Sequence, residues 1–208
     1  MYVPTHFAQT DPAALFELIE RFPFAVLVTD GCDGLRATHL PILHDPEPEP
    51  HGTLLCHVAR ANPQWRECDG GAEALAIFSG PDAYVSPSWY EGKATVPTWD
   101  YIAVHAYGPL RAIDDPERLR RLVTHLTQHF EAERPQPWTV ESQPAEYIER
   151  MVHGIVGLEM PITRIFGAWK LSQNRSNADR EGVERALLAS KAPRDREVAA
   201  EMERVRDF

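Results

Sequence analysis

Two hydrophobic periods alternate along this chain, and the places where one gives way to the other predict its secondary structure. Short apolar runs that are rich in β-branched residues and bounded by turn residues are typical of strands. The predicted strands are 24–29, 35–43, 53–58, 74–79, 83–85 and 100–112, with one or two more between 155 and 171. A helical period instead puts Leu119, Leu122, Leu126 and Phe130 on one face, which predicts a long amphipathic helix.

Capping residues mark where the helices begin. Asp11-Pro12 and Asp115-Pro116 each join a side chain that can accept a backbone hydrogen bond to a proline that fits the first helical turn. These signals predict helices that run from there to about Arg21 and about Phe130. Asn62-Pro63 repeats the signal before a short helix, and the charged segment that follows residue 177 is also predicted to be helical.

The order of these elements indicates the fold class. Helices do not alternate regularly with strands, so we do not expect a doubly wound parallel sheet. The succession of six or seven antiparallel strands predicts an α+β protein, a small barrel with peripheral helices and a charged C-terminal helix. We expect one domain over residues 1–189 and a charged helical tail over residues 190–208.

Composition narrows the possible partners. The chain has 208 residues, of which 43% are hydrophobic and 25% are charged, as in ordinary globular proteins. Its net charge of −10 opposes general affinity for nucleic acids and anionic membranes, whose phosphates require a basic surface. There is no apolar stretch of the ~20 residues that would span a bilayer and no signal-like start. Three cysteines without a CxxC pair favour a cytoplasmic location.

The segment 78–101 is unusually rich in aromatic rings, prolines and hydroxyl groups. Rings can cover the face of a flat ligand while hydroxyls and backbone amides bind its polar edge. The alternative is a proline-rich loop whose rings fill the core. The residues that would contact a ligand here are Ser86, Ser88, Trp89, Tyr90, Lys93, Trp99 and Tyr101.

Three other polar segments lie at the ends of predicted strands. His57 to Trp65 leads from a strand into a capped helix, where free amides and Arg60 could bind a phosphate. In the alternative interpretation Asn62 only caps the helix and Arg60 is solvated. Thr38 and His39 are polar residues within an otherwise apolar strand, and 170–175 ends a strand just before a helix. HLTQH at 125–129 lacks the glutamate of a zincin motif, so no metal site is predicted.

Five motifs occur together in one order: MYVPTHF at 1–7, HVARANPQW at 57–65, GPDAYVSPSWY at 80–90, VPTWDY at 96–101 and KLSQNR at 170–175. In the presence and order of these motifs the chain resembles the PaiB family of FMN-binding negative transcriptional regulators. The resemblance covers nearly all of its length. The resemblance implies a six- to seven-stranded antiparallel split β-barrel of the pyridoxamine-phosphate-oxidase-like class. It also implies a homodimer that holds FMN at or near the subunit interface. Asp100 stands where the family often has Asn.

The resemblance and the residues together define the expected cofactor site. A phosphate calls for cations, hydroxyls or helix-end amides, and the flavin ring calls for aromatic faces and backbone hydrogen bonds along its pyrimidine edge. The candidate FMN-binding residues are Thr38, His39, Leu40, His57, Arg60, Asn62, Trp65, Ser86, Ser88, Trp89, Tyr90, Lys93, Trp99, Tyr101, Lys170 and Gln173. No residue is singled out as a catalytic acid or base.

The residues and the resemblance together predict a cytoplasmic, FMN-binding homodimer that acts as a flavin-linked transcriptional regulator or as an oxidoreductase of unknown substrate. One alternative is a DNA-binding repressor that needs no cofactor, although the acidic charge makes direct DNA binding doubtful. Another is a haem-binding relative on the same barrel, with His39, His57 or His105 as the iron ligand. The absorption spectrum of the purified protein distinguishes the three.

Overall fold

The computed structural model describes residues 1–48, 50–68, 71–92 and 94–205. These residues form an α+β fold. The strands are β1 (Ala8–Gln9), β2 (Phe24–Gly31), β3 (Gly34–Pro41), β4 (Leu43–Asp45), β5 (Thr53–Ala59), β6 (Glu73–Val85), β7 (Thr98–Pro109), β8 (Arg111–Ile113), β9 (Ile155–Pro161) and β10 (Arg164–Lys170). The helices are α1 (Pro12–Arg21), α2 (Pro116–Glu131), α3 (Ala145–His153), α4 (Asn177–Leu188) and α5 (Pro193–Arg204).

The strands form two sheets. One has six strands in the order β1-β10-β7-β6-β2-β3, and the other has four in the order β4-β5-β9-β8. The pairings for which a register is given are antiparallel, for example Val26 with His39 between β2 and β3, and His57 with Gly157 between β5 and β9. The predicted antiparallel α+β class is therefore confirmed. β1 has only two residues, too few to leave a periodic signal. The predicted strands 35–43 and 100–112 each break near their end, and the short strands that follow, β4 and β8, belong to the other sheet.

One predicted break in the sheet was wrong. The Gly80-Pro81 pair was expected to separate two strands, but β6 continues through it without interruption. Pairing of β6 with β2 covers Leu75 to Ile77, so Pro81 lies beyond it and its missing N–H removes no hydrogen bond there. A Cβ at position 80 would lie 2.4 Å from Ile102 Cγ1, so the glycine serves close packing rather than a turn.

The predicted helix starts are confirmed. The Asp115 carboxylate accepts a hydrogen bond from the Arg118 amide at 2.8 Å, with Pro116 in the first turn of α2. The Asp11 carboxylate accepts from the amide of Ala13 at 3.1 Å, before α1. Asn62-Pro63 opens a 3₁₀ helix, Pro63–Cys68, rather than an α-helix. None of the helices in the described ranges is both long enough and apolar enough to cross a membrane.

The chain divides into two compact units. Unit 1 comprises residues 1–18, 79–105 and 166–208, and unit 2 comprises residues 19–78 and 106–165. In unit 2 the apolar face of α2 packs with α3 and the small sheet, around a cluster that includes Leu119, Leu122, Ile148 and Val152. In unit 1 helices α4 and α5 pack together. Val183, Leu187, Val198 and Met202 are buried there, so the charged C-terminal segment has an apolar face.

Candidate functional site

In unit 2 the segment 57–65 lies against strand β3. The Asn62 side chain donates a hydrogen bond to the Thr38 hydroxyl at 3.1 Å, and its carbonyl oxygen accepts from the Gln64 amide at 2.9 Å. Asn62 therefore caps the 3₁₀ helix and joins it to β3 at the same time. Two motifs that are separate in the sequence meet here, but both polar ends of Asn62 are already occupied.

Arg60 is held by groups of its own unit. Its Nη2 donates to the Asp114 carboxylate at 2.6 Å and to the carbonyl of Ile155 at 2.9 Å, and its Nε donates to the carbonyl of His153 at 2.8 Å. The Trp65 indole N–H in turn donates to the Arg60 carbonyl at 3.0 Å. Arg60 thus joins β5 to the end of α3 and the start of β9.

A buried polar network that the sequence did not suggest lies beside these residues. Gln64 is fully buried, and its amide nitrogen donates to the Leu27 carbonyl at 3.1 Å and the Thr29 hydroxyl at 3.2 Å. Glu67 accepts from Thr29 at 2.7 Å and from Arg36 Nε at 2.8 Å. The network fixes the 3₁₀ helix to β2 and β3, because a buried donor or acceptor that loses its hydrogen bond lowers the stability of the protein.

Strand β3 is the outermost strand of the larger sheet. An outermost strand has backbone groups on one side that no strand of its sheet pairs. His39 is exposed, Thr38 is partly exposed and Leu40 is buried. His57, on β5, is largely buried, and burial lowers its pKa. The predicted residues of unit 2 are therefore mainly structural, apart from the exposed parts of Thr38 and His39.

In unit 1 two motifs that lie far apart in the sequence come together. The Lys170 ammonium at the end of β10 donates to the Thr98 hydroxyl at 2.7 Å and to the Trp99 carbonyl, and it lies 3.5 Å from the Asp100 carboxylate. These contacts fix the start of β7, which carries Trp99 and Tyr101. The hydrogen bonds of Lys170 are therefore made to protein groups, and they position the strand that carries the neighbouring rings.

Asp100 is the buried acid of this cluster. It is 1% exposed, and the Ser172 hydroxyl donates to its carboxylate at 2.6 Å. Burial raises the pKa of Asp100, and the hydrogen bonds from Ser172 and Lys170 oppose this rise only in part. Ser172 has a φ of +60°, a left-handed conformation that is uncommon outside glycine. The Gln173 side chain closes the same turn, donating to the Trp169 carbonyl at 2.5 Å and accepting from the Leu171 amide at 2.7 Å.

Tyr84 and Trp99 are exposed rings of unit 1 that lie in contact with each other, and we call this pair the aromatic face. Their centroids are 6.0 Å apart in an edge-to-face arrangement, and they are 47% and 55% exposed. Tyr101 lies two residues further along β7 and is partly exposed. Two residues past Tyr84 the Ser86 hydroxyl lies 2.8 Å from that of Ser88, which is exposed.

Helix α4 holds the loop that carries Trp89 and Tyr90. The Asp179 carboxylate accepts from the amides of Glu91 and Gly92 at 2.9 and 3.3 Å. A Cβ on Gly182 would come within 2.1 Å of the Trp89 carbonyl, so only glycine fits there. Asp179 and Gly182 were missed because they belong to a segment that reads only as charged and helical.

Buried polar atoms that lack a hydrogen-bond partner among the described residues lie in the same unit. Tyr90 is 8% exposed, and its hydroxyl makes no hydrogen bond of good geometry, although Arg175 lies over its ring at 4.6 Å. Burial raises the pKa of Tyr90. Nε and Nη2 of Arg180 are buried without a partner among the described residues. Binding of an anion nearby would provide hydrogen-bond acceptors for these two nitrogens.

Lys93 lies outside the described residues. Of the three histidines considered as haem ligands, His39 is exposed, while burial lowers the pKa of His57 and of His105. Across the described ranges no group of three or more His, Cys, Asp or Glu side chains is arranged to hold a metal ion.

The fold defines the class of the protein, a split barrel of the FMN-binding type. Two solved structures resemble it. The flavocytochrome Anf3 from Azotobacter vinelandii has a TM-score of 0.60 at 12% identity, covering 81% of this chain and 72% of that one. An FAD- and heme-binding protein from Mycobacterium smegmatis has a TM-score of 0.58 at 15% identity, covering 78% and 73%. At such low identity the likeness shows the fold alone.

Sequence comparison shows the family. Residues 1–164 match the family described as "Putative FMN-binding domain". The chain is also 33% identical over 203 residues to the protease synthase and sporulation protein PAI 2 of Bacillus subtilis, covering 98% of this chain and 97% of the relative. The chain therefore belongs to the FMN-binding family that the resemblance to PaiB proteins predicted, and FMN is the cofactor of that family.

The residues present fit FMN chemically. The aromatic face offers a flat apolar surface, and Ser86 and Ser88 offer hydroxyl groups beside it. The unpaired guanidinium nitrogens of Arg180 make the surroundings favourable for a phosphate. Unit 2 offers mainly the backbone and the exposed side chains of β3.

Proposed function

We propose that the protein is an FMN-dependent homodimer that acts as a flavin-linked regulator or oxidoreductase. The observation that carries this proposal is the aromatic face of unit 1, two exposed rings in mutual contact next to a pair of hydroxyls. Exposed rings of this kind are costly in water and are typical of binding surfaces.

Trp99, with Tyr84 at its edge, would support the isoalloxazine ring. Ser86 and Ser88 would donate hydrogen bonds to the cofactor's polar groups. Lys170, Asp100 and Ser172 would act through Trp99, by fixing the backbone of the strand that carries it. When bound, FMN supplies one- or two-electron redox chemistry that no side chain can provide.

The homodimer rests on exposed apolar side chains of unit 1. Val96 is 67% exposed, and Trp99, three residues further along the chain, is 55% exposed. A surface of this kind is better covered by a second copy than by water. The cytoplasmic location rests on Cys32 and Cys56, neither of which forms a disulfide among the described residues, as suits a reducing compartment.

Any regulatory action would be indirect. With a net charge of −10, the chain lacks the overall positive charge that supports binding to DNA phosphates. The basic residues of the C-terminal segment alternate with acids, and two of them make ion pairs, Arg194 with Asp82 at 2.8 Å and Arg204 with Glu17 at 2.7 Å. Regulation would then proceed through flavin chemistry, a small metabolite or a protein partner.

The test is the absorption spectrum of the purified protein, followed by titration of the cofactor-free protein with FMN. We expect flavin bands and saturable binding. A Soret band would favour the haem alternative, and a protein that binds no FMN would refute the proposal. Light scattering should give the mass of a dimer. Nanomolar, salt-sensitive binding to a specific promoter fragment would instead favour the DNA-binding repressor.

A further inference from the structure

A second cleft lies in unit 2, between helix α2 and the four-stranded sheet. Its volume is about 330 Å³, within the range of ~300–1,000 Å³ that is usual for small-molecule sites. Its apolar floor is formed by Leu55, Ile113 and Leu122, and Thr53 adds a hydroxyl. None of the residues predicted to bind FMN lines it.

The helix side of the cleft is basic. Arg118 and Glu159 both line the cleft and are already paired with each other at 2.7 Å. Arg121 is 70% exposed in its side chain, and its ion pair with Glu117, at 3.9 Å, is long and solvent-exposed, so it contributes little. His125, one helical turn further on, is exposed and also lines the cleft. Arg121 can therefore bind an anionic group at small cost.

The strand side of the cleft is acidic. Asp45 ends β4, and Glu47 follows it in the next loop. The Asp45 carboxylate accepts a hydrogen bond from the backbone amide of Glu47, at 3.1 Å. Among the residues that the structure describes, no ion pair joins either carboxylate to Arg121 or His125. Opposite charges thus line the same cleft without neutralising one another.

We propose that this cleft binds a small zwitterion of the amino-acid type. Its carboxylate would pair with Arg121, its ammonium group would pair with Asp45 and Glu47, and its side chain would lie on the apolar floor. A dianion would be repelled by the acidic side of the cleft, and a polycation would be repelled by the basic side. A ligand with one charge of each sign satisfies both sides.

The first experiment is calorimetric titration of the purified FMN-loaded protein with individual neutral L-amino acids. Acetate and methylammonium serve as probes that carry only one of the two charges. We expect at least one amino acid to bind with millimolar or better affinity, and both single-charge probes to bind much more weakly. If no amino acid binds, or if acetate binds as tightly as the best amino acid, the proposal is wrong.

Matched variants locate the site. Arg121→Gln and Glu47→Gln each remove one ion pair of an exposed side chain and should raise the Kd about two- to fivefold. Arg120→Gln is the control, because Arg120 is exposed on the same helix but does not line the cleft. Unchanged affinity in Arg121→Gln, or an equal loss in Arg120→Gln, would place the ligand elsewhere. FMN affinity should be unchanged in all three variants.

Discussion

The predicted cofactor residues of unit 1 and those of unit 2 carry similar sequence signals and yet differ in structure. Arg60 and Asn62 of unit 2 are hydrogen-bonded to backbone and side chains of their own unit. In unit 1 the predicted residues Trp99 and Ser88 are exposed, and Tyr84, which was not among the predicted residues, lies at the edge of Trp99. Lys170 is the exception in unit 1, because protein groups already bind it. Polar residues at a strand end can thus either secure a fold or bind a ligand.

The number of protein partners decides between these roles. A side chain whose donors are already used gains little by moving to a ligand, since it must first break the bonds that it makes. An exposed ring or hydroxyl gives up only water. This difference predicts that unit 2 variants will mainly change stability, whereas unit 1 variants will mainly change FMN affinity.

The largest expected effect is loss of stability in Gln64→Leu. The change leaves the Leu27 carbonyl and the Thr29 hydroxyl without their donor inside the protein, and each stranded acceptor costs about 1–3 kcal/mol. Chemical denaturation should show the loss, with FMN affinity of the folded fraction nearly unchanged. Gln128→Leu, on the exposed side of α2, should cost much less.

The next largest effect should be on cofactor affinity in Trp99→Ala. Loss of an aromatic stacking partner costs about 1–3 kcal/mol, or about 5- to 150-fold in the Kd for FMN. Trp138→Ala is the control, since Trp138 of unit 2 is 44% exposed against 55% for Trp99. Fluorescence titration measures both. Equal Kd values for the two variants would remove the aromatic face from the site.

The secondary structure could be predicted because its signals are local. Alternation along β2 and the Asp115 cap of α2 involve residues a few positions apart. The joining of Lys170 to Thr98 and of Arg60 to Asp114 could not be predicted, because a polar residue's sequence neighbours do not specify its distant partner. The Gly80-Pro81 break failed for a related reason, since packing against Ile102 overrode the turn propensity.

A third prediction compares how the contributions of two aspartates to stability depend on pH. Burial raises the pKa of Asp100 in unit 1 above its ordinary value of 3.8. The folded state therefore loses stability as the pH rises from 3.8 through the raised pKa, because the buried carboxyl must ionise. Asp100→Asn should therefore gain stability over the wild type across that window, by about 1.4 kcal/mol per unit of the rise. Below pH 3.8 the difference should vanish.

The hydrogen bond from Arg60 lowers the pKa of Asp114 in unit 2. Ionisation of Asp114 therefore stabilises the folded protein, whereas ionisation of Asp100 destabilises it. Its stabilisation is present above the ordinary pKa of 3.8 and is lost as the pH falls through the lowered value. Asp114→Asn should be less stable than the wild type near neutral pH and equal to it in strong acid. Denaturation at several pH values tests both variants. A difference that does not vary with pH would contradict the assignment.

The smallest expected effect compares one hydroxyl from each unit. Ser88→Ala removes an exposed hydroxyl that lies 2.8 Å from the Ser86 hydroxyl. The hydrogen bond from the Ser88 backbone amide to the Ser86 hydroxyl remains, so the variant should fold normally. If Ser88 donates to FMN, its loss costs about 0.5–1.5 kcal/mol, or about two- to tenfold in Kd. Thr38→Val is the counterpart in unit 2, because it keeps the shape of the side chain but strands the amide of Asn62. It should lower the thermal midpoint and leave the Kd nearly unchanged. The reverse result, with affinity lost in Thr38→Val and retained in Ser88→Ala, would move the flavin from the aromatic face to the edge of β3.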